Sequence, residues 1–289
     1  MTVSDCGKRD LFNSELSEKR VRLEPLIARL RPGIIVEFGC GSGFILEMVS
    51  EQFPDSIIIG VDQRFDRLRN VAEKGLKNVI PVSGDITGPL FLANTFDSGL
   101  FIAVLHEIFS RSGKRGLTQA LKLAHDVLKK EGILLIQDFL KPEPEPVELI
   151  FRSKAIEARF YRFAREYRPR RINFERIDDG VRIDAADAVE FVCKCHATDE
   201  GHWQEEMGET HFFFTEAEYL EVVRRIGFTV VEMRKVQRIK DWRPEVGDEL
   251  EVRSIHPYPD RWIQLILKKR CDLPGAGCLR TCLPIHAGE

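Results

Sequence analysis

The residues best suited to chemistry gather in IIVEFGCGSGF at 34–44, where an apolar run meets Gly39, Gly41 and Gly43. This spacing lets the chain turn sharply and bring bare backbone against a ligand, because glycine has no Cβ and accepts positive φ. A dinucleotide turn would want its third glycine where Phe44 stands. Two acidic residues close later apolar runs: Asp62 ends IIIGVDQ, with Gln63 beside it, and Asp85 lies in SGDIT, followed by Ile86. A carboxylate at a strand end can accept both hydroxyls of a vicinal diol. It can also be an ordinary turn former. Glu37 could pair locally, and Cys40 could be a small apolar filler. His106 and Glu107 follow the run at 98–103, and a histidine with its usual pKa of about 6.5 is suited to act as a base. The same pair also reads as a helix start, with Glu107 favouring the N-terminus.

The elements that must hold these residues alternate. Apolar runs at Ile34–Glu37, Ser56–Val61, Val79–Val82, Ser98–Ala103 and Gly132–Gln137 are interleaved with helical stretches at 43–52, 64–75, 87–93 and 113–130. Such alternation with apolar strands predicts a doubly wound, mostly parallel α/β sheet covered on both faces. A helix within 9–31 precedes it. Thr215 with Glu218 forms a capping-box signature for a helix ending at Gly227, and strands follow at Phe228–Val236 and Arg261–Lys268. Residues 141–214 interrupt the pattern, opening with the stiff KPEPEP. Residues 271–289 read as a tail.

The E-x-G-x-G-x-G spacing resembles motif I of the class I (Rossmann-like) S-adenosylmethionine (SAM)-dependent methyltransferases. The resemblance covers about 200 residues, all but the insertion and the two ends. It implies a seven-stranded sheet with a closing antiparallel hairpin, and SAM as cofactor. It places the amino-acid end of SAM over Glu37, Gly39, Cys40, Gly41 and Gly43, the ribose on Asp62 and Gln63, and the adenine by Asp85 and Ile86. Ala103 would close the site after the fourth strand. The domain reading is therefore 1–140 with 215–270 for SAM binding, 141–214 as a helical lid, and 271–289 as tail.

The acceptor is less legible. After the fourth strand stands Ala103-Val104-Leu105-His106, not the D/N-P-P-aromatic tetrapeptide of enzymes that methylate base amines. No nucleophilic cysteine follows the fourth or fifth strand, and Asp138 follows the fifth without a second acid. A small-molecule acceptor methylated at oxygen, nitrogen or carbon is the expectation, with His106 and Glu107 as catalytic candidates and Asp138 as their polar neighbour. The alternatives are an RNA-directed enzyme and a non-catalytic SAM sensor or scaffold. Residues 151–171 carry seven arginines and one lysine against two glutamates, with Ile156, Phe160, Phe163 and Tyr167 forming an apolar helical stripe. Those arginines suggest an anionic acceptor if they face inward, or nothing about substrate if they pair with Asp199, Glu200, Glu205, Glu206 and Glu209. Cys193, Cys195, His196, His202 and His211 match no zinc spacing, nor do Cys271, Cys278 and Cys282, so no metal is expected. The net charge of −3 argues against a general affinity for nucleic acid. The N-terminus lacks a secretory h-region and no apolar run reaches about 20 residues. With seven dispersed cysteines, a cytoplasmic protein is expected.

Overall fold

The computed structural model describes residues 16–197, 199–236, 247–254 and 261–270. The tail at 271–289, with its three cysteines, and the first 15 residues lie outside the described residues. Seven strands form the main sheet: β1 (Ile34–Phe38), β2 (Ile57–Asp62), β3 (Val79–Ser83), β4 (Phe96–Ile102), β5 (Leu128–Phe139), β9 (Phe228–Val236) and β11 (Trp262–Lys269). Their order is β3-β2-β1-β4-β5-β11-β9, with β11 antiparallel to both neighbours. This is the doubly wound sheet with a closing antiparallel pair that the alternation predicts.

Strand residues divide between two cores as the pleat requires. Val36, Phe101, Leu134 and Ile136 face α4 (Leu105–Val127) and α8 (Glu216–Ile226). Ile35, Leu100, Ile133 and Leu135 face α1 (described over 16–27), α2 (Phe44–Gln52) and α3 (Phe65–Glu73). The Thr215–Glu218 capping box is formed, and Gly227 ends α8 at φ 118°. Two expected helices are corrected. No helix occupies 87–93, where Gly88 and Pro89 interrupt a segment already turned by Asp85. The helix expected at 113–130 begins eight residues earlier, at Leu105, and breaks its regular geometry at Gly113 (φ 60°).

The insertion also differs from the helical lid expected. It contains α5 (Lys154–Glu166), α6 (Ala185–Lys194) and α7 (Glu200–Glu206), but also β6 (Pro146–Phe151), β7 (Phe174–Ile177) and β8 (Gly180–Asp184). These strands form an antiparallel sheet in the order β10-β6-β8-β7. Its edge strand β10 (Leu250–Arg253) comes from beyond the expected boundary at 214. The stripe Ile156, Phe160, Phe163 and Tyr167 is buried, in a core of its own with Phe191, Trp203 and Met207. The last insertion residues lie on the main domain. Thr210 N–H donates to Ser110 Oγ (2.9 Å), Lys141 N–H to the Phe214 carbonyl (2.9 Å), and Phe109 stacks on Phe213 with ring centres 5.0 Å apart.

Candidate functional site

The turn after β1 needs its glycines for different reasons. Gly39 (φ 76°) lies so close to Val104 that a Cβ would sit 2.4 Å from its Cγ2. Gly41 (φ 53°) is open: the nearest heavy atom to a Cβ there is an Arg67 nitrogen at 3.9 Å. A cavity of about 270 Å³ lies beside the turn, with Gly39 in its lining. Six of the residues singled out from sequence line it: Gly39, Asp62, Gln63, Asp85, Ile86 and Glu107.

Asp62 is buried where β2 meets the turn. Its Oδ2 accepts from Gly41 N–H (2.9 Å) and its Oδ1 from Arg64 N–H (2.8 Å). Each carboxylate oxygen keeps a second lone pair, so the pair can still take two donors from the cavity. Asp85 Oδ1 accepts from both the backbone N–H and the hydroxyl of Thr87, at 2.8 and 2.7 Å. Those donors hold its carboxyl below the ordinary carboxylate range, the backbone N–H first. Ile86 supplies a buried apolar wall.

The other candidates lie off this lining. Glu37 is buried, and its Oε2 has no hydrogen-bond partner. Burial pushes its pKa well up, against the opposing charge of Lys19. Cys40 is buried behind the turn and its thiol is driven up chiefly by burial, as befits a filler. Gly43 (φ 81°) packs against Val71. Ala103 holds a left-handed φ of 53°, and its N–H donates to the Gln137 carbonyl (2.8 Å). Non-glycine residues rarely adopt that conformation, and where they do, they cluster at functional sites.

His106 is not in the lining of the cavity that Glu107 lines. Its Nδ1 is 2.8 Å from Asp138 Oδ1. Burial opposes a charge on the ring, and Asp138 more than offsets it, so the pKa stands above its usual value. Asp138 is itself fully buried. Its Oδ2 accepts from Leu105 N–H (2.7 Å), Val104 N–H (3.1 Å) and His106 N–H (3.4 Å). It is therefore the anion at the N-terminus of α4, satisfying donors that lack an intrahelical acceptor.

Sequence reading missed the three arginines of the cavity, which only folding brings in: Arg64 and Arg67 around the start of α3, and Arg111 one turn beyond Glu107. Arg111 donates to Glu107 Oε2 (2.9 Å). Sequence reading named Glu209 and His211 without relating either to His106. Glu209 and His211 come against His106, with one ligand-type atom from each of the three within 4.8 Å of the others.

Residues 36–136 match the methyltransferase-domain family. That match covers about a third of the chain, and the fold around it is the one seen in solved SAM-dependent methyltransferases. Trans-aconitate 2-methyltransferase from Rhodopseudomonas palustris (strain HaA2) is 35% identical over 63 residues, 22% of this chain. The chain spans 25% of the length of that curated relative. A SAM-dependent methyltransferase from Methanosarcina mazei shares the fold at a TM-score of 0.51 and 15% identity, over 86% of this chain and 98% of its own. The Burkholderia thailandensis 1,6-didemethyltoxoflavin-N1-methyltransferase, crystallised with its acceptor and S-adenosylhomocysteine, does so at 0.52 and 16%, over 92% and 83%. The long strands and the glycine turn are therefore features of a known fold. No helix among the described residues is long and apolar enough to cross a membrane.

Proposed function

We propose that the protein transfers the methyl group of SAM to a small-molecule acceptor. The observation that carries the cofactor half is the pairing of Asp62 with the open turn at Gly41. One carboxylate holds the turn's backbone in place and keeps lone pairs for a diol, while the missing Cβ leaves room for a ligand. In this reading Asp62 and Gln63 hold the ribose, Asp85 and Ile86 the adenine, and Gly39–Gly43 the methionine end. When bound, SAM supplies an electrophilic methyl on a sulfonium, and transfer releases S-adenosylhomocysteine. The chain's own task is to place the acceptor in line and to keep water out.

Residues 141–214 would do this, because they pack on the β4–α4 side of the strand ends, where ligands of open α/β sheets bind. A small acceptor fits that roof, and both trans-aconitate 2-methyltransferase and the toxoflavin enzyme act on small molecules. Charge on α5 gives no preference for an anionic one. Arg162 pairs with Glu166 and Glu200, Arg165 with Glu166, and Arg152 with Glu251, while Arg159 donates to the Cys195 and Ala197 carbonyls. A cytoplasmic location belongs to the same reading.

The test uses SAM labelled in its methyl group with a metabolite extract in one arm and an RNA pool in the other. Label should appear in the metabolite arm; label in RNA alone, or none in either, would overturn the reading. In calorimetry, Asp62→Ala should weaken S-adenosylhomocysteine binding by about 2–3 kcal/mol, since charge-assisted hydrogen bonds are lost. Unchanged affinity would remove Asp62 from the site.

A further inference from the structure

Three side chains with metal-ligand chemistry meet where the insertion touches the N-terminal turn of α4. His106 comes from that turn, and Glu209 and His211 from the segment leaving α7. Their ligand-type atoms lie within 4.8 Å of one another. His106 Nδ1 is taken by Asp138, which leaves Nε2 as the ligand atom of that ring. The His211 side chain is 12% exposed, and its Nδ1 is buried with no hydrogen-bond partner. A buried imidazole nitrogen left bare costs free energy unless something meets it.

The supports around the three are those of a built site. Asp138 fixes the His106 ring through the nitrogen opposite the ligand position, the arrangement that orients metal-bound histidines. The His211 ring lies flat on Phe139 (centroids 4.4 Å, 4°) and edge-on to His106 (5.1 Å, 86°). Its main chain is pinned too, because the fully buried Glu190 accepts from His211 N–H (3.0 Å) and Phe212 N–H (3.3 Å). Lys194, also fully buried, holds Glu190 (3.3 Å) and Glu206 (2.8 Å), and Glu206 Oε2 lies 3.6 Å from His211 Nε2. Glu209 is the half-buried member of the three.

We propose that His106 Nε2, His211 Nδ1 and a Glu209 carboxylate oxygen bind a divalent transition-metal ion. Two imidazoles and one carboxylate suit zinc, iron(II) or cobalt, whereas magnesium and calcium favour all-oxygen shells. Around a tetrahedral ion with bonds near 2.05 Å the ligand atoms stand about 3.3 Å apart. Binding therefore draws the three inward, with Glu209 moving most. Three protein ligands leave at least one coordination position open. That position is offered to an oxygen of the acceptor, a hydroxyl or carboxylate, which the ion would orient and make more acidic. This acceptor role rests on the methyl-transfer reading; the metal site itself does not.

The experiment titrates the full chain, freed of metal by chelator, with Co²⁺ alone. Wild type should bind one equivalent with weak visible bands of an imidazole–carboxylate site. His211→Ala and Glu209→Gln should each weaken binding at least tenfold. Co²⁺ should raise the thermal midpoint of wild type but not of Glu209→Gln, whose own midpoint without metal certifies its fold. No binding at micromolar Co²⁺ would overturn the site. Equal binding by the double variant, or an intense near-ultraviolet thiolate band assigning the ion to cysteine, would do the same. Failure of labelled methyl transfer with intact Co²⁺ binding would sink the methyl-transfer reading and leave the metal site standing.

Discussion

Glu37 is the residue whose environment is least settled by its own neighbours. It lies in the middle of the sheet, buried, with one carboxylate oxygen unmatched and the Lys19 ammonium of α1 as its opposing charge. Lys19 is itself mostly buried, and burial lowers its pKa against the pull of Glu37. A carboxyl whose folded pKa is raised binds protons in the folded state that the unfolded chain has already released. Stability therefore falls as pH rises, from about 4.5 up to the raised folded value, and stays lower beyond it. Glu37→Gln removes that penalty. Urea unfolding should find the variant more stable than wild type near neutrality and no more stable below about pH 4.5. A variant no more stable than wild type near neutrality would mean that the Glu37 carboxylate is ionised and matched. At this scale the sequence was informative about position at a strand end, since Asp62 and Asp85 come to line one cavity. It named Glu209 and His211 but could not bring them to His106, which stands about 100 residues away with no local spacing to relate them.

The turn after β1 shows how an element turns glycine spacing into two separable functions. Gly39 is packed and Gly41 is open, though both hold positive φ. Gly39→Ala forces its Cβ into Val104 as well as into a left-handed backbone, and should cost about 1–3 kcal/mol of stability. Gly41→Ala carries only the backbone strain, about 1 kcal/mol. Its Cβ instead enters the space left for a ligand, so its S-adenosylhomocysteine affinity should drop more than tenfold. Unfolding and calorimetry on both variants check this, and the reverse ranking would place the ligand elsewhere. The main-sheet elements were legible because long apolar strands and the α8 capping box are strong local signals. The start of α4 was not, because its cap is Asp138, which lies 33 residues beyond Leu105, whereas Gly113 mimics a helix boundary. The β7–β8 hairpin was there to be read. Asp178-Asp179-Gly180 joins two short alternating runs, a recognisable turn signal, but the arginine-rich helix beside it drew the whole insertion towards a helical reading. β10 could not have been found, since its pairing partner β6 lies about 100 residues earlier.

At the scale of the molecule, two hydrophobic cores cover the faces of the main sheet and a third belongs to the insertion. The third is closed by α5, α6 and α7 over a sheet whose edge strand arrives from the far side of β9, so the chain enters and leaves it twice. Its links to the methyltransferase domain run through Ser110–Thr210, Phe109–Phe213 and the His211 ring stacked on Phe139 (centroids 4.4 Å). Those links flank His106 and Asp138 and leave the cavity beside Asp62 untouched. Loosening the third core should therefore disturb the acceptor side and spare the cofactor side. Phe163 tests this: it is fully buried in that core, with Tyr167 and Phe191 rings 5.0 and 5.5 Å away. Phe163→Ala should remove about 3–5 kcal/mol from the insertion. Amide exchange should then accelerate in β6, β8 and α6 while β1, β2 and β4 keep their protection. S-adenosylhomocysteine affinity should stay at the wild-type value, while methyl transfer falls because the segment 209–214 is no longer held against α4. Uniform loss of protection across both sheets would show that the insertion and the methyltransferase domain unfold as one unit, so that acceptor and cofactor sides are not separable.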